Sequence, residues 1–152
     1  MVMSKIKLHV DVSSIPLESL HAKNELVFTL PFLNAKQMQY FFNHVLNSHE
    51  VSRFSSVFTE GSKHIELTTV EKCDYVLLPF KWRTTELNQT DGRPSAEPYI
   101  KLAKEHGKKL LVLFEDDYSG KLNLNSDEGV ILRTSLYRSK KRNNEFSLPV
   151  FR

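Results

Sequence analysis

Two short apolar segments separated by a helical one limit the folds open to this chain more than any other feature. Residues 75–79 read Tyr-Val-Leu-Leu-Pro and residues 110–114 read Leu-Leu-Val-Leu-Phe. Both runs are typical of strands that are buried on two faces. Between them, Pro98 suits the first turn of a helix and Gly107 is placed to end it. Strand, helix and strand in this order predict two parallel strands joined by a crossover.

Each of these predicted strands runs directly into a polar cluster. The side chains concerned are Lys81, Trp82 and Arg83 after the first strand, and Glu115, Asp116 and Asp117 after the second. Parallel strands bring their carboxyl ends to the same edge of a sheet, and open α/β sheets bind ligands at that edge. The six side chains are therefore candidates for one shared site.

The remaining elements follow from local patterns. Further strands are predicted at residues 5–12, 26–30, 54–58 and 130–132. Asn34 is placed to cap a helix that begins at Ala35, and Thr68 with Glu71 forms a capping-box pattern for a short helix. Together these elements predict residues 1–152 to form a single three-layer, Rossmann-like α/β domain with a mainly parallel sheet. A right-handed crossover would place the helix at residues 98–106 over one face of that sheet.

Composition excludes several classes of protein. A hydrophobic share of 40% and a charged share of 26% are typical of a folded globular domain rather than a disordered chain. The single cysteine, Cys73, rules out internal disulfides and is expected to be an inert core thiol. No apolar run approaches the roughly 20 residues of a membrane span. The first residues lack a secretory apolar core, so a cytoplasmic location is expected.

The net charge of +3 is concentrated at the carboxyl-terminal end. Six basic residues and one acidic residue lie from Arg133 onward, whereas the preceding part of the chain has a small acidic excess. Residues 137–142 are basic but include one aromatic side chain, Tyr137. Nucleic-acid stacking surfaces usually bring several aromatic rings. A nucleic-acid partner is therefore not expected.

The polar clusters suggest binding or catalysis, each beside a simpler alternative. Adjacent carboxylates after a strand can hold a divalent ion, or one of them can act as a general base; a solvated loop is the alternative. No residue is assigned as a metal ligand. Trp82 between two cations can stack on a sugar or help grip a phosphate, or it can simply pack against its own loop. Arg133 can bind an anionic ligand, although a structural salt bridge to the acidic trio is the favoured interpretation.

Four segments of the second half resemble the amino-terminal domain of exostosin-like glycosyltransferases. They are CDYVLLPFKW at residues 73–82, KKLLVLFED at 108–116, VILRTSLYR at 130–138 and NEFSLP at 144–149. These segments recur in this order in the family. The resemblance starts at about Cys73, and the first 65 residues add little to it beyond an opening strand.

The resemblance implies an enzyme with two Rossmann-like domains that face a cleft. The amino-terminal domain receives the carbohydrate acceptor, and the second domain, expected to begin where this chain ends at Arg152, binds the nucleotide-sugar donor. The donor is therefore expected in a separate domain or a second chain, and no cofactor is assigned to this one. The acceptor-side candidates implied are Lys81, Trp82, Glu115 and Arg133, with Asp116 or Asp117 as the base that deprotonates a sugar hydroxyl. Arg83 is a further candidate binding residue, because it lies in the same polar cluster as Lys81 and Trp82.

A non-catalytic module of flavodoxin-like fold is the alternative from another functional class. A receiver domain contains paired acids after a strand, a later hydroxyl residue and a lysine. Such receivers place the acid pair after their first strand, whereas Asp116 and Asp117 follow a late strand here. Whether the chain is an enzyme stays open at this point, with glycosyl transfer preferred.

Overall fold

A parallel sheet forms the centre of the molecule. The computed structural model describes residues 3–23, 26–80, 82, 95–114, 122–134, 139 and 141–147. Within these residues the sheet has six strands in the order β2-β1-β3-β4-β5-β6, and every neighbouring pair is parallel. The strands are β1 (Ile6–His9), β2 (Ile65–Leu67), β3 (Tyr75–Leu77), β4 (Lys109–Phe114), β5 (Gly129–Arg133) and β6 (Glu145–Ser147). The predicted Rossmann-like α/β fold is confirmed.

The two faces of the sheet bury separate apolar cores, as alternation along a strand requires. Leu110, Val112 and Phe114 of β4 face a core that includes Ala103. Leu111 and Leu113 face the opposite core, with Leu8 and Leu77. Because β4 is apolar on both faces, it lies in the interior of the sheet, as its continuous apolar run predicts.

Three α-helices accompany the sheet in the described residues: α1 (Ala35–Tyr40), α2 (Val51–His64) and α3 (Glu97–Glu105). Asn34 caps α1 as predicted, and the backbone N–H of Gln37 donates to its side-chain oxygen over 2.9 Å. Pro98 lies in the first turn of α3, and Gly107 follows its end with a positive φ of 64°. The helix predicted at 98–106 is therefore confirmed. It packs on β3 and β4 over one sheet face. No helix in the described parts of the chain combines the length and the apolar character that crossing a membrane needs.

Three local predictions are wrong. Residues 26–30 form turns rather than a strand, with the N–H groups of Thr29 and Leu30 bonded to the Leu26 carbonyl. Residues 54–58 belong to α2, because Phe54, Val57 and Phe58 recur at helical spacing and pack on the same core. The predicted short helix after Thr68 is only a turn at residues 70–72, since the chain has just residues 68–74 in which to reach β3.

Strands β2 and β6 were not predicted, and both are only three residues long. The connection from β2 to β3 passes β1 without a helix and is bonded to it on the way. Thr68 donates its N–H to the Leu8 carbonyl over 3.0 Å, and Asp74 donates to the Lys7 carbonyl over 2.7 Å. In return, the Lys7 N–H donates to Oδ2 of Asp74 over 2.8 Å. These bonds fix β2 and β3 on opposite sides of β1.

Candidate functional site

The carboxyl edge of the sheet is where the sequence places the candidate ligand-binding residues. Strands β3, β4 and β5 are parallel neighbours, so their carboxyl ends reach this edge side by side. Lys81, Arg83, Glu115, Asp116 and Asp117 lie outside the described residues. Trp82 and Arg133 lie inside them, and their surroundings are given in the next two paragraphs.

Trp82 is half-buried and belongs to an aromatic group beyond the end of β3. It packs against the core on the α3 face, together with Phe80 and Tyr99. The rings of Phe80 and Tyr99 meet edge to face, with their centroids 5.4 Å apart. This packing holds the indole at the carboxyl edge of β3, whereas the loop against which the simpler alternative would pack it lies outside the described residues.

Arg133 is the last residue of β5 and is almost completely buried. Its Nη1 donates to Oε1 of Glu145 over 2.9 Å, and its guanidinium carbon lies 5.0 Å from the centre of the Phe114 ring. The backbone N–H of Arg142 donates to the other carboxylate oxygen of Glu145 over 3.1 Å. Arg133 is thus held by a carboxylate of β6, and the sequence did not predict this contact. The acidic trio with which a salt bridge was predicted lies outside the described residues.

The strand order adds a second location at the same edge. Strand β2 lies on one side of β1 and β3 on the other, so the direction of winding reverses between β1 and β3. In open parallel sheets a crevice forms beyond the strand ends at such a reversal, and ligands bind in it. Asp11 lies two residues after β1, where its Oδ1 accepts a hydrogen bond from Ser13 Oγ over 2.6 Å.

Tyr99 approaches this crevice from the first part of α3. Burial, followed by the negative charge of Asp11, raises the pKa of the Tyr99 phenol. Strands β1 and β3 are neighbours, with His9 paired to Val76, so Asp11 leaves the sheet beside the segment that carries Phe80, the ring partner of Tyr99. In the structure β1 ends at His9, whose Nδ1 lies 2.9 Å from the Thr68 carbonyl oxygen. No signal in the sequence pointed to Asp11, because it falls inside the strand predicted at residues 5–12, whereas β1 ends at His9 in the structure.

Comparisons of the chain with protein-family models, with curated proteins and with solved structures found no match. In the described ranges, no group of three or more His, Cys, Asp or Glu side chains is arranged to hold a metal ion. Among the residues that the structure describes, the carboxyl edge carries a carboxylate, a phenol, a buried guanidinium and aromatic rings.

Proposed function

We propose that this chain is the acceptor-side domain of an exostosin-like glycosyltransferase and binds a carbohydrate at the carboxyl edge of its sheet. The observation that carries the proposal is the side-by-side parallel arrangement of β3, β4 and β5. Strands β3 and β4 lie within the first two of the four segments that resemble the family, β5 overlaps the third from residue 130 onward, and the fourth contains β6. The resemblance and the topology therefore converge on one edge.

In this proposal the chain binds and orients the acceptor, and a separate domain or chain supplies the nucleotide sugar. Asp116 or Asp117 removes the proton from the acceptor hydroxyl as its oxygen attacks the anomeric carbon and the nucleoside diphosphate leaves. Trp82 offers a flat apolar surface for a sugar ring. Lys81, Arg83 and Glu115 contribute polar contacts to the acceptor, whereas Arg133, buried against Glu145, supports the edge of the sheet beneath them. The aromatic group that includes Trp82, Phe80 and Tyr99 supports this assignment, because sugar rings stack on such faces.

Carbohydrate binding by the purified chain tests the proposal directly. An array of neutral and acidic oligosaccharides is probed first, and each hit is titrated while the fluorescence of Trp82, the single tryptophan, is followed. We expect saturable binding of at least one oligosaccharide and none of free nucleotide sugars. Tight binding of a nucleotide sugar with no oligosaccharide bound would overturn the acceptor-side assignment. Of Asp116→Asn and Asp117→Asn, the variant that removes the base should keep acceptor binding and abolish transfer once a donor domain is supplied.

A flavodoxin-like binding module is the second candidate, and the strand order favours it. The order β2-β1-β3-β4-β5 is that of flavodoxin-like sheets, with β6 added at one end. A receiver-type module would take up a phosphoryl group from acetyl phosphate in the presence of Mg²⁺. Phosphorylation that is lost in Asp116→Asn or Asp117→Asn, without oligosaccharide binding, would favour this candidate over the transferase.

A further inference from the structure

The reversal between β1 and β3 brings together two kinds of side chain, which we call the switch-point site. Its members are Asp11 and Ser13 after β1, Phe80 and Trp82 after the neighbouring strand β3, and Tyr99, whose ring contacts Phe80. They come from three separate parts of the chain: the segment after β1, the segment after β3 and the start of α3. Three segments that meet at the ligand-binding edge of a parallel sheet are the usual composition of a site in this class of fold.

The polar half of the switch-point site is a carboxylate with one oxygen still available. Ser13 donates to Oδ1 of Asp11, and Ser14 Oγ donates to the Asp11 backbone carbonyl over 2.8 Å. These bonds fix the carboxylate beyond the end of β1. Among the described residues none donates to Oδ2, and none is hydrogen-bonded to the hydroxyl of Tyr99. The site therefore offers a ligand an exposed carboxylate oxygen of Asp11 and the partly buried hydroxyl of Tyr99.

The apolar half consists of the three aromatic rings. Tyr99 meets Phe80 edge to face at 80°, and Trp82 packs against the same core. Because the rings are held by this core, they keep a fixed surface at the edge of the crevice. A ligand that suits both halves needs a flat apolar face and hydroxyl donors at its rim.

A sugar ring has this combination, whereas two other ligand classes do not. A purely apolar ligand would cover the Asp11 carboxylate without replacing its hydrogen bonds to water, which is unfavourable. An acidic ligand would bring a second negative charge towards Asp11, which is also unfavourable. A neutral sugar donates hydroxyl hydrogens to the carboxylate and stacks its apolar face on an aromatic ring.

We propose that the switch-point site binds a neutral sugar unit of the acceptor, with Asp11 accepting hydrogen bonds from its hydroxyls and the aromatic group stacking on its ring. The inference rests on the proposed acceptor function and deepens it by adding Asp11 and Tyr99 to the binding residues. It extends the acceptor site from the ends of β3, β4 and β5 to the end of β1, the neighbour of β3.

Asp11→Asn tests this inference, because asparagine keeps an oxygen for Ser13 and removes the charge. Asp127→Asn is the matched control, since Asp127 is exposed in the turn before β5, at the opposite edge of the sheet. Tyr99→Phe keeps the ring contact with Phe80 and removes the hydroxyl. Each variant is titrated with the tightest neutral oligosaccharide from the array while Trp82 fluorescence is followed. A thermal melt of each variant checks that it is folded.

We expect Asp11→Asn to weaken binding about tenfold or more, because hydrogen bonds to charged groups are the strongest of their kind. Tyr99→Phe should weaken it by a smaller factor, and Asp127→Asn should leave it unchanged. Unchanged binding in Asp11→Asn, or an array on which only acidic oligosaccharides bind, would overturn this inference and leave the proposed acceptor function intact. An array with no oligosaccharide bound would overturn both.

Discussion

Arg133 at the end of β5 donates a hydrogen bond to Glu145, the first residue of the neighbouring strand β6, over 2.9 Å. Both residues are only 1% exposed. Burying two opposite charges gives little net stability compared with apolar residues of the same size, but removing one partner leaves the other charge buried. Strand β6 is only three residues long, so its hydrogen-bonded ladder with β5 is short. Its attachment to β5 therefore depends on the Arg133–Glu145 ion pair.

Replacing Glu145 with glutamine should destabilise the domain strongly. The guanidinium of Arg133 would lose its buried carboxylate, and breaking such a pair costs about 3–5 kcal/mol in the free energy of unfolding. Urea denaturation followed by circular dichroism measures the loss, with Glu66→Gln on the exposed side of β2 as control. A loss below about 1 kcal/mol, the value of an exposed pair, would contradict the role given to Glu145. It would favour the acidic trio at residues 115–117 as the main counter-ion of Arg133.

Cys73 should be unreactive while the chain is folded. Its side chain is 2% exposed, and its thiol donates to the Val70 carbonyl oxygen over 3.2 Å. Burial raises the pKa of the thiol, so the reactive thiolate is scarce at neutral pH. We expect Ellman's reagent to titrate no thiol in the native chain at pH 8 and one thiol in denaturant. Since Cys73 is the single cysteine, rapid native labelling would directly contradict its buried placement.

The fold was predictable where a strand is apolar on both faces or where a residue typical of a helix end is present. Strands β3 and β4 consist mainly of buried apolar side chains, and such runs indicate interior parallel strands without tertiary information. Asn34 marks the start of α1 because its side-chain oxygen accepts a hydrogen bond from a backbone N–H of the first turn. Gly107 marks the end of α3 because glycine adopts a positive φ without a steric cost. These elements were enough to predict the class of fold.

The errors fall where neighbours in space decide the structure. Strand β2 has three residues and pairs with β1, 59 positions earlier in the chain, so no local pattern announces it. Residues 54–58 contain two phenylalanines that suit a strand as well as a helix. The helix is favoured because it lets both rings pack on Phe41, whose ring centroid lies 6.0 Å from that of Phe54 and 5.7 Å from that of Phe58.

The candidate site shows the same division. Trp82 and Arg133 were identified because they follow or end predicted strands, which is information carried by the local sequence. Tyr99 reaches Phe80 at the carboxyl end of β3 only because α3 packs on β3 and β4, and Glu145 reaches Arg133 only because β6 pairs with β5. Both relationships depend on which strands become neighbours, and a single sequence does not give that order.

Acid should weaken the contact between Glu50 and Lys23. The hydrogen bond from the Lys23 ammonium, then the backbone N–H of Asn47, lower the pKa of Glu50 below its usual value of 4.5. A lowered pKa in the folded state means that the contribution is present above the unfolded pKa and is lost as the pH falls through the folded pKa. At pH 7, Glu50→Gln should therefore cost about 1 kcal/mol or less, because the pair is partly exposed.

The test for Glu50 is the pH dependence of that difference. Urea midpoints of the wild type and Glu50→Gln should converge as the pH falls below the ordinary carboxyl range, whereas the Glu66→Gln control should show no such convergence. A difference between wild type and Glu50→Gln that stays constant from neutral to acid pH would contradict the pairing with Lys23.

Gly107→Ala isolates the backbone cost of ending α3. The φ of Gly107 is +64°, and a Cβ added there would meet no atom within 4 Å. The expected loss is therefore conformational, at about 1 kcal/mol in the free energy of unfolding. Gly107→Asn should lose less, because asparagine tolerates the left-handed region better than alanine. Chemical denaturation of both variants measures the two losses. Equal losses for alanine and asparagine would show that the positive φ is not what this position requires.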